Sequence, residues 1–136
     1  MGKKLSVKTE LSTLWVVVMI NMIFADIFTI IIELVNKNTF GGMHNVTTAM
    51  GIAAIATNVP ILMIYFSRKL PYKVNRWANI LAAVFTILYV TIGGMPSLHY
   101  IIMAGIEVIF LVVIIARAWK WDGPGANNIA RSAQKL

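Results

Sequence analysis

The chain has 136 residues, of which 59% are hydrophobic and 12% charged, with a formal net charge of +7. So few charges cannot cover a water-soluble globule of this size, and composition alone implies a membrane protein. The chain has no cysteine, which excludes disulfides, thiol catalysis, cysteine-bound zinc and iron–sulfur clusters.

Four apolar runs reach or approach the roughly 20 residues that cross a hydrocarbon core about 30 Å thick. They predict membrane spans at 11–35, 46–66, 76–93 and 97–119, between a basic N-terminus over 1–10 and a polar tail over 120–136. The first run follows Lys3, Lys4 and Lys8, as the core of a secretion signal would. It is far longer than such a core, carries Asp26 and shows no small-x-small cleavage site before Glu33, so a retained helix is expected. In the second run, Pro60 removes a backbone donor and leaves the carbonyl of Ala56 without its helical partner. Asn58, two residues earlier, is a candidate to repair that kink with its amide. The third run is the shortest and stops at Gly93-Gly94-Met95-Pro96, which predicts a tight hairpin with the fourth. Asp122-Gly123-Pro124-Gly125 stops the fourth run.

Charge assigns the loops to sides. If four helices alternate, Lys3, Lys4, Lys8, Arg68, Lys69, Lys73, Arg76, Arg117, Lys120, Arg131 and Lys135 share one side, and Lys37 stands on the other. The positive-inside rule then places both termini in the cytoplasm. The basic excess suits anionic lipid, each Lys or Arg near the surface being worth about 1 kcal/mol. It does not suggest nucleic acid, since it is split among three segments and accompanies no recognition motif. Trp15, Trp77, Trp119 and Trp121, with Tyr72, fall near the same helix ends, as an interfacial aromatic belt would. Asn45-Val46-Thr47 is formally a glycosylation acceptor but begins too close to a span to serve as one.

Polar residues within the runs recur at helical spacing. Steps of three and four join Ser12, Trp15, Met19, Met22, Asp26, Thr29 and Glu33 in the first span. The second gives Thr47, Gly51, Ala54, Asn58, Ile61 and Tyr65; the third gives Asn79, Ala82, Thr86, Tyr89 and Gly93. The fourth gives Tyr100, Met103, Glu107, Phe110, Ile114 and Arg117. Turning these stripes inward predicts an all-α membrane protein, a four-transmembrane-helix antiparallel bundle with both termini inside. With a rise of 1.5 Å per residue, Asp26 and Glu107 both lie roughly 14 to 15 Å below the outer face. Asn21, Asn58 and Asn79 lie at about 18 to 21 Å, which suggests an amide layer beneath the acids, although Asn21 is turned away from the main stripe.

No lysine or arginine in the runs neutralises these acids, and an intramembrane carboxyl marks a functional site by default. Two carboxylates close together in a medium of low polarity disfavour double ionisation and titrate as a unit. Such a site holds a proton, exchanges it for an organic cation, or hydrogen-bonds a lipid-like ligand. The candidate ligand- or proton-binding set is Asp26, Glu107, Asn58, Asn79, Asn21 and Tyr89. Alternatively, the same groups only tie helices together, at about 0.6 to 2 kcal/mol per contact. Glu33, His44 and His99 mark the outer mouth; nothing in their spacing enforces a metal site, and no cofactor is expected. Met19, Met22 and Met103 are adaptable filler suited to lining an apolar pocket.

The size, the four spans and an acid in the first helix resemble the architecture of the small multidrug resistance exporters. In that family a helix-one glutamate exchanges protons for cationic drugs. Here the acid is Asp26, preceded by Asn21-Met22-Ile23-Phe24-Ala25, and Glu107 has no counterpart in that family. The segments Leu11-Ser12-Thr13-Leu14-Trp15, Asn21 to Asp26, Asn75-Arg76-Trp77-Ala78-Asn79 and Tyr100 to Glu107 resemble an uncharacterised bacterial family of small four-helix membrane proteins. That resemblance implies a bacterial inner-membrane location and supplies no function. DoxX-like four-helix proteins are similar in architecture only. Two readings follow. One is a proton-linked carrier or binder of a small lipophilic or cationic compound, working as a dimer or larger assembly, a homodimer being one candidate. The other is a non-enzymatic membrane subunit or scaffold whose polar stripes mediate helix and partner association. An enzyme is disfavoured because no nucleophile-base set is visible.

Overall fold

The computed structural model describes residues 6–35, 46–94 and 97–123, and the account below concerns these. Their order is α1 (Val7–Val35), α2 (Val46–Lys69), α3 (Tyr72–Ile92) and α4 (Leu98–Trp119). Each is long and apolar enough to cross a membrane, as expected of a multi-pass membrane protein. Helix is the physical consequence of such sequences, because a segment in hydrocarbon must satisfy its backbone polar groups internally. Ser6 caps α1, its hydroxyl accepting from the Thr9 amide at 3.3 Å. Only Leu70 and Pro71 separate α2 from α3, which forces an antiparallel hairpin.

The helices form a ring in which α1 packs on α2 and α4, and α3 packs on α2 and α4. Lys8 Nζ donates to the Leu70 carbonyl at 2.7 Å, Arg117 pairs with Glu10, and the Tyr72 hydroxyl donates to the Trp121 carbonyl at 2.6 Å. Lys8, Arg68, Lys69, Lys73, Arg76, Arg117 and Lys120 therefore gather at one end, here called the basic end. Trp77 and Trp119 stand exposed there, and the Arg76 guanidinium lies 5.1 Å from the centre of the Trp119 ring. Trp15 departs from the expected aromatic belt, since it is fully buried.

The close-packed core occupies the basic half. Leu11, Trp15, Val18 and Met22 of α1 meet Met63, Ile80, Ala83, Leu111, Ile114 and Ala118. Outward faces carry large apolar side chains such as Phe24, Ile55, Leu81 and Ile109, the surface that lipid would cover. Inward and outward faces depart from the expected stripes in two helices. On α2 the predicted inward residues Gly51, Ala54, Asn58, Ile61 and Tyr65 are all exposed, and the buried seam is Ala56, Pro60, Met63 and Ser67. On α1 the seam runs Leu11, Trp15, Val18, Met22, Ala25, which leaves Asp26 exposed beside it. On α3 and α4 the expected stripes do turn inward, with Asn79, Thr86, Glu107 and Ile114 buried.

Candidate functional site

The sequence-predicted polar residues separate into two sites. At the basic end, Asn79 is fully buried and uses its whole hydrogen-bonding capacity. Its Oδ1 accepts from Trp15 Nε1 at 2.7 Å and from the Ser67 hydroxyl at 3.0 Å. Its Nδ2 donates to the Asn75 carbonyl at 2.8 Å and to Asn75 Oδ1 at 2.6 Å. Asn75 in turn donates to the Ser67 carbonyl at 2.6 Å. Beside this cluster the Ser12 hydroxyl donates to the Ile64 carbonyl at 2.8 Å and accepts from Arg68 Nε at 3.1 Å. An asparagine with both donors and both acceptor sites engaged has nothing left for a ligand. This network joins α1, α2 and α3.

The second site lies in the half remote from the basic end. A cavity of about 90 Å³ is lined by Met22, Ala25 and Asp26 of α1, Tyr89 and Val90 of α3, Gly93, and Tyr100, Ala104 and Glu107 of α4. Glu107 is only 2% exposed, whereas Asp26 is exposed at the cavity edge. Both acids and Tyr89 thus share one cavity wall. Asn21, which the stepping rule turned away, reaches Glu107: its Nδ2 donates to the Met103 carbonyl at 2.9 Å and to Glu107 Oε2 at 3.4 Å. It does so because α1 packs on α4 as well as α2, so this helix has two inward faces. The other carboxylate oxygen of Glu107, Oε1, is buried and has no hydrogen-bond partner among the described residues. Tyr100, absent from the candidate set although it sits on the α4 stripe, completes the wall, and its hydroxyl donates to the Val90 carbonyl at 2.9 Å.

The expected amide layer beneath the acids is not formed. Asn79 belongs to the basic-end network, and Asn58 is exposed on α2 with its amide donating to the Ala54 carbonyl at 2.7 Å. Asn58 therefore satisfies itself on the preceding turn and does not serve the Ala56 carbonyl that Pro60 leaves open. His99 Nε2 and the Thr29 hydroxyl are 3.3 Å apart, joining α4 to α1 above the cavity. His44, the side chain of Glu33 and the tail beyond Gly123 lie outside the described residues. Among the described residues no cluster of three His, Cys, Asp or Glu could hold a metal ion.

A family described as being of unknown function, DUF6326, matches residues 3–126. The chain belongs to that family. No curated protein and no solved structure matches the chain. DUF6326 membership agrees with the resemblance to an uncharacterised family, and no link to the small multidrug resistance exporters or DoxX-like proteins is shown. Two carboxyls, two phenols and one amide can hold a proton or a compact cation by charge and hydrogen bonding, and the phenol rings add cation–π attraction.

Proposed function

We propose that this chain binds a proton or a small cation within the membrane and exchanges one for the other, with Glu107 as the binding carboxyl. Asp26 is the second acid at the cavity edge, Asn21 orients Glu107, and Tyr89 and Tyr100 wall the site. The observation that carries this reading is the unpartnered, buried Oε1 of Glu107 in a cavity that Asp26 also lines. A buried polar atom without a partner is uncommon and asks for one. At about 90 Å³ the cavity is far below the roughly 300–1,000 Å³ of sites that enclose drug-sized molecules. The occupant is accordingly a proton, a water-carried proton or a compact cationic head. The charge bias supports an inner-membrane protein with both termini cytoplasmic.

Proton counting tests this. Purified protein in nanodiscs, weakly buffered with a pH-sensitive dye near neutrality, is titrated with methylammonium. Wild type should release about one proton per chain, as a coupled pair would. Release should vanish in Glu107→Gln and fall in Asp26→Asn, with helical circular dichroism unchanged. Absence of release from wild type, or its survival in Glu107→Gln, would overturn the reading.

One observation favours a second reading, self-association. The stripe Gly51, Ala54, Asn58, Ile61 and Tyr65 lies on the outer face of α2, where small residues and one amide would let a second copy approach. Crosslinking of an Ala54→Cys variant within a dimer supports it, and its failure across a range of protein-to-lipid ratios rejects it.

A further inference from the structure

The cavity does not end the accessible space in this half of the bundle. An apolar groove of about 460 Å³ runs between α2 and α3, lined by Ile52, Ile55, Phe85 and Leu88, and shares Tyr89 and Gly93 with the carboxyl cavity. A second groove of about 450 Å³ between α3 and α4 shares Val90, Tyr100 and Ala104 with it. The two shared walls differ. Tyr100 is pinned by its hydrogen bond to the Val90 carbonyl at 2.9 Å, which holds the α3/α4 side closed. The hydroxyl of Tyr89 makes no hydrogen bond among the described residues, so packing alone holds that wall.

Helix α2 is also the helix best able to yield there. Its side-chain hydrogen bonds to other helices, among the described residues, run through Ser67, Arg68 and the Ile64 carbonyl, all at the basic end. In the remote half Ile52, Ile55 and Ala56 of α2 face Phe85, Leu88 and Ile92 of α3 across the apolar groove.

The charge on one side and the apolar groove on the other specify one kind of occupant. We propose that the ligand is an amphiphilic amine whose ammonium head sits beside Glu107 and Asp26 while its alkyl tail passes Tyr89 and lies in the groove between α2 and α3. This rests on the carboxyl site proposed above and names its ligand class. An anion would face two acids with no lysine or arginine in the cavity wall. A bare proton or inorganic cation would leave the groove to lipid. An alkylammonium matches both parts, and the rings of Tyr89 and Tyr100 add attraction for its head.

Photolabelling locates the tail. The probe is decylammonium with a terminal diazirine, compared with the neutral decanol carrying the same diazirine, on the full chain in nanodiscs. The amine should label α2 and α3 groove residues about tenfold more than the alcohol does, the ratio expected when charge adds a specific anchor. Excess methylammonium should compete this label away, and Glu107→Gln should reduce it to the level of the alcohol. Ile55→Trp, which fills the groove, should lower it about tenfold, while Leu81→Trp on the exposed face of α3 should not. The competition and the alcohol comparison use wild type, so they decide even if a variant fails to fold. A label distribution equal to that of the alcohol, or one confined to the α3/α4 groove, overturns the inference. If methylammonium still releases a proton but no tail is found in the groove, only the ligand class falls; if no proton is released, the carboxyl reading falls with it.

Discussion

Removing Asn79 should cost more stability than any lipid-facing truncation in this bundle, and the loss should be coupled to Trp15. In Asn79→Ala the donors Trp15 Nε1 and Ser67 Oγ lose their common acceptor, and Asn75 Oδ1 loses a donor. Trp15, Ser67, Asn75 and Asn79 are all fully buried, so water cannot substitute. The hydroxyl of Ser67 can rotate toward a carbonyl on its own preceding turn, as helical serines do. The Trp15 indole has no such option and is left stranded, at about 1–3 kcal/mol. Interhelical hydrogen bonds in membranes average about 0.6 kcal/mol, so the remaining bonds add on the order of 1 kcal/mol together. The expected total is about 2–4 kcal/mol.

A double-mutant cycle with Trp15→Phe isolates the shared part. Phe keeps most of the ring volume and removes the indole donor, so Asn79→Ala should cost less in its background. The coupling expected is about 1–2 kcal/mol, in the range found for residues in one network. Reversible unfolding in mixed micelles, followed by circular dichroism so that loss of a tryptophan does not alter the signal, gives each corner of the cycle. Additivity within about 0.3 kcal/mol would refute the network account. So would an Asn79→Ala cost no larger than that of Leu81→Ala, whose side chain is 65% exposed.

Gly94→Ala would place its Cβ 2.5 Å from Tyr100 Cε1 and 3.2 Å from the Val90 carbonyl. The ring must then leave Val90, at about 1–3 kcal/mol, and accessibility of the α3/α4 side should rise in cysteine-labelling of an Ala104→Cys background. Asn21→Leu should alter methylammonium-driven proton release, whereas Asn58→Leu should leave it within error, because only Asn21 reaches Glu107. Arg117→Ala should cost under about 1 kcal/mol by the same unfolding assay, since its pairing with Glu10 is exposed. Pro60→Ala supplies the missing donor to the Ala56 carbonyl, so hydrogen exchange over 50–59 should slow; unchanged exchange would mean that the proline does not loosen this half of α2.

The four-helix architecture was legible because length and apolarity suffice to define a helix that can cross a membrane. The inward faces of α3 and α4 were legible because their polar residues either join the core network, as Asn79 does, or line the cavity, as Glu107 does. The face of α2 was not. The stepping rule assumed that an amide in a span turns inward, but Asn58 finds its acceptor on its own helix and needs no inward partner for that donor. Burial instead follows Ala56, Pro60, Met63 and Ser67, a seam fixed by packing on neighbours that a single helix cannot reveal. The same blindness to neighbours turned Asn21 away from Glu107, since one stripe per helix leaves no place for a helix wedged between two others. Asn75 and Ser67 escaped notice because they flank the α2–α3 turn, where polar residues are normally solvated. The four-residue spacing of Asn75 and Asn79 on one helical face was the available signal.

The division of polar groups between the two halves bears directly on how such a small bundle could bind anything. On the proposed reading, a buried carboxyl that exchanges an occupant needs neighbours that can part, while the fold needs somewhere to be held together. Here the tying hydrogen bonds of α2 sit at the basic end, beside the Leu70–Pro71 turn and the close-packed core. Away from it, α1 and α4 remain linked by Asn21 to Met103 and by Thr29 with His99, and α3 is linked to α4 by Tyr100. Among the described residues α2 has no such link in this half, and Pro60 within the helix leaves the Ala56 carbonyl without its backbone donor. Three helices thus frame the carboxyl cavity, while α2 lines only the neighbouring apolar groove that shares Tyr89 and Gly93 with it. Apolar contact between helices is the interaction that lipid tails or an alkyl chain can replace at little cost, because both sides of the exchange are hydrocarbon. The network around Asn79 is therefore the counterpart of the cavity: it concentrates the interhelical hydrogen bonds of α2 at the end remote from the carboxyls.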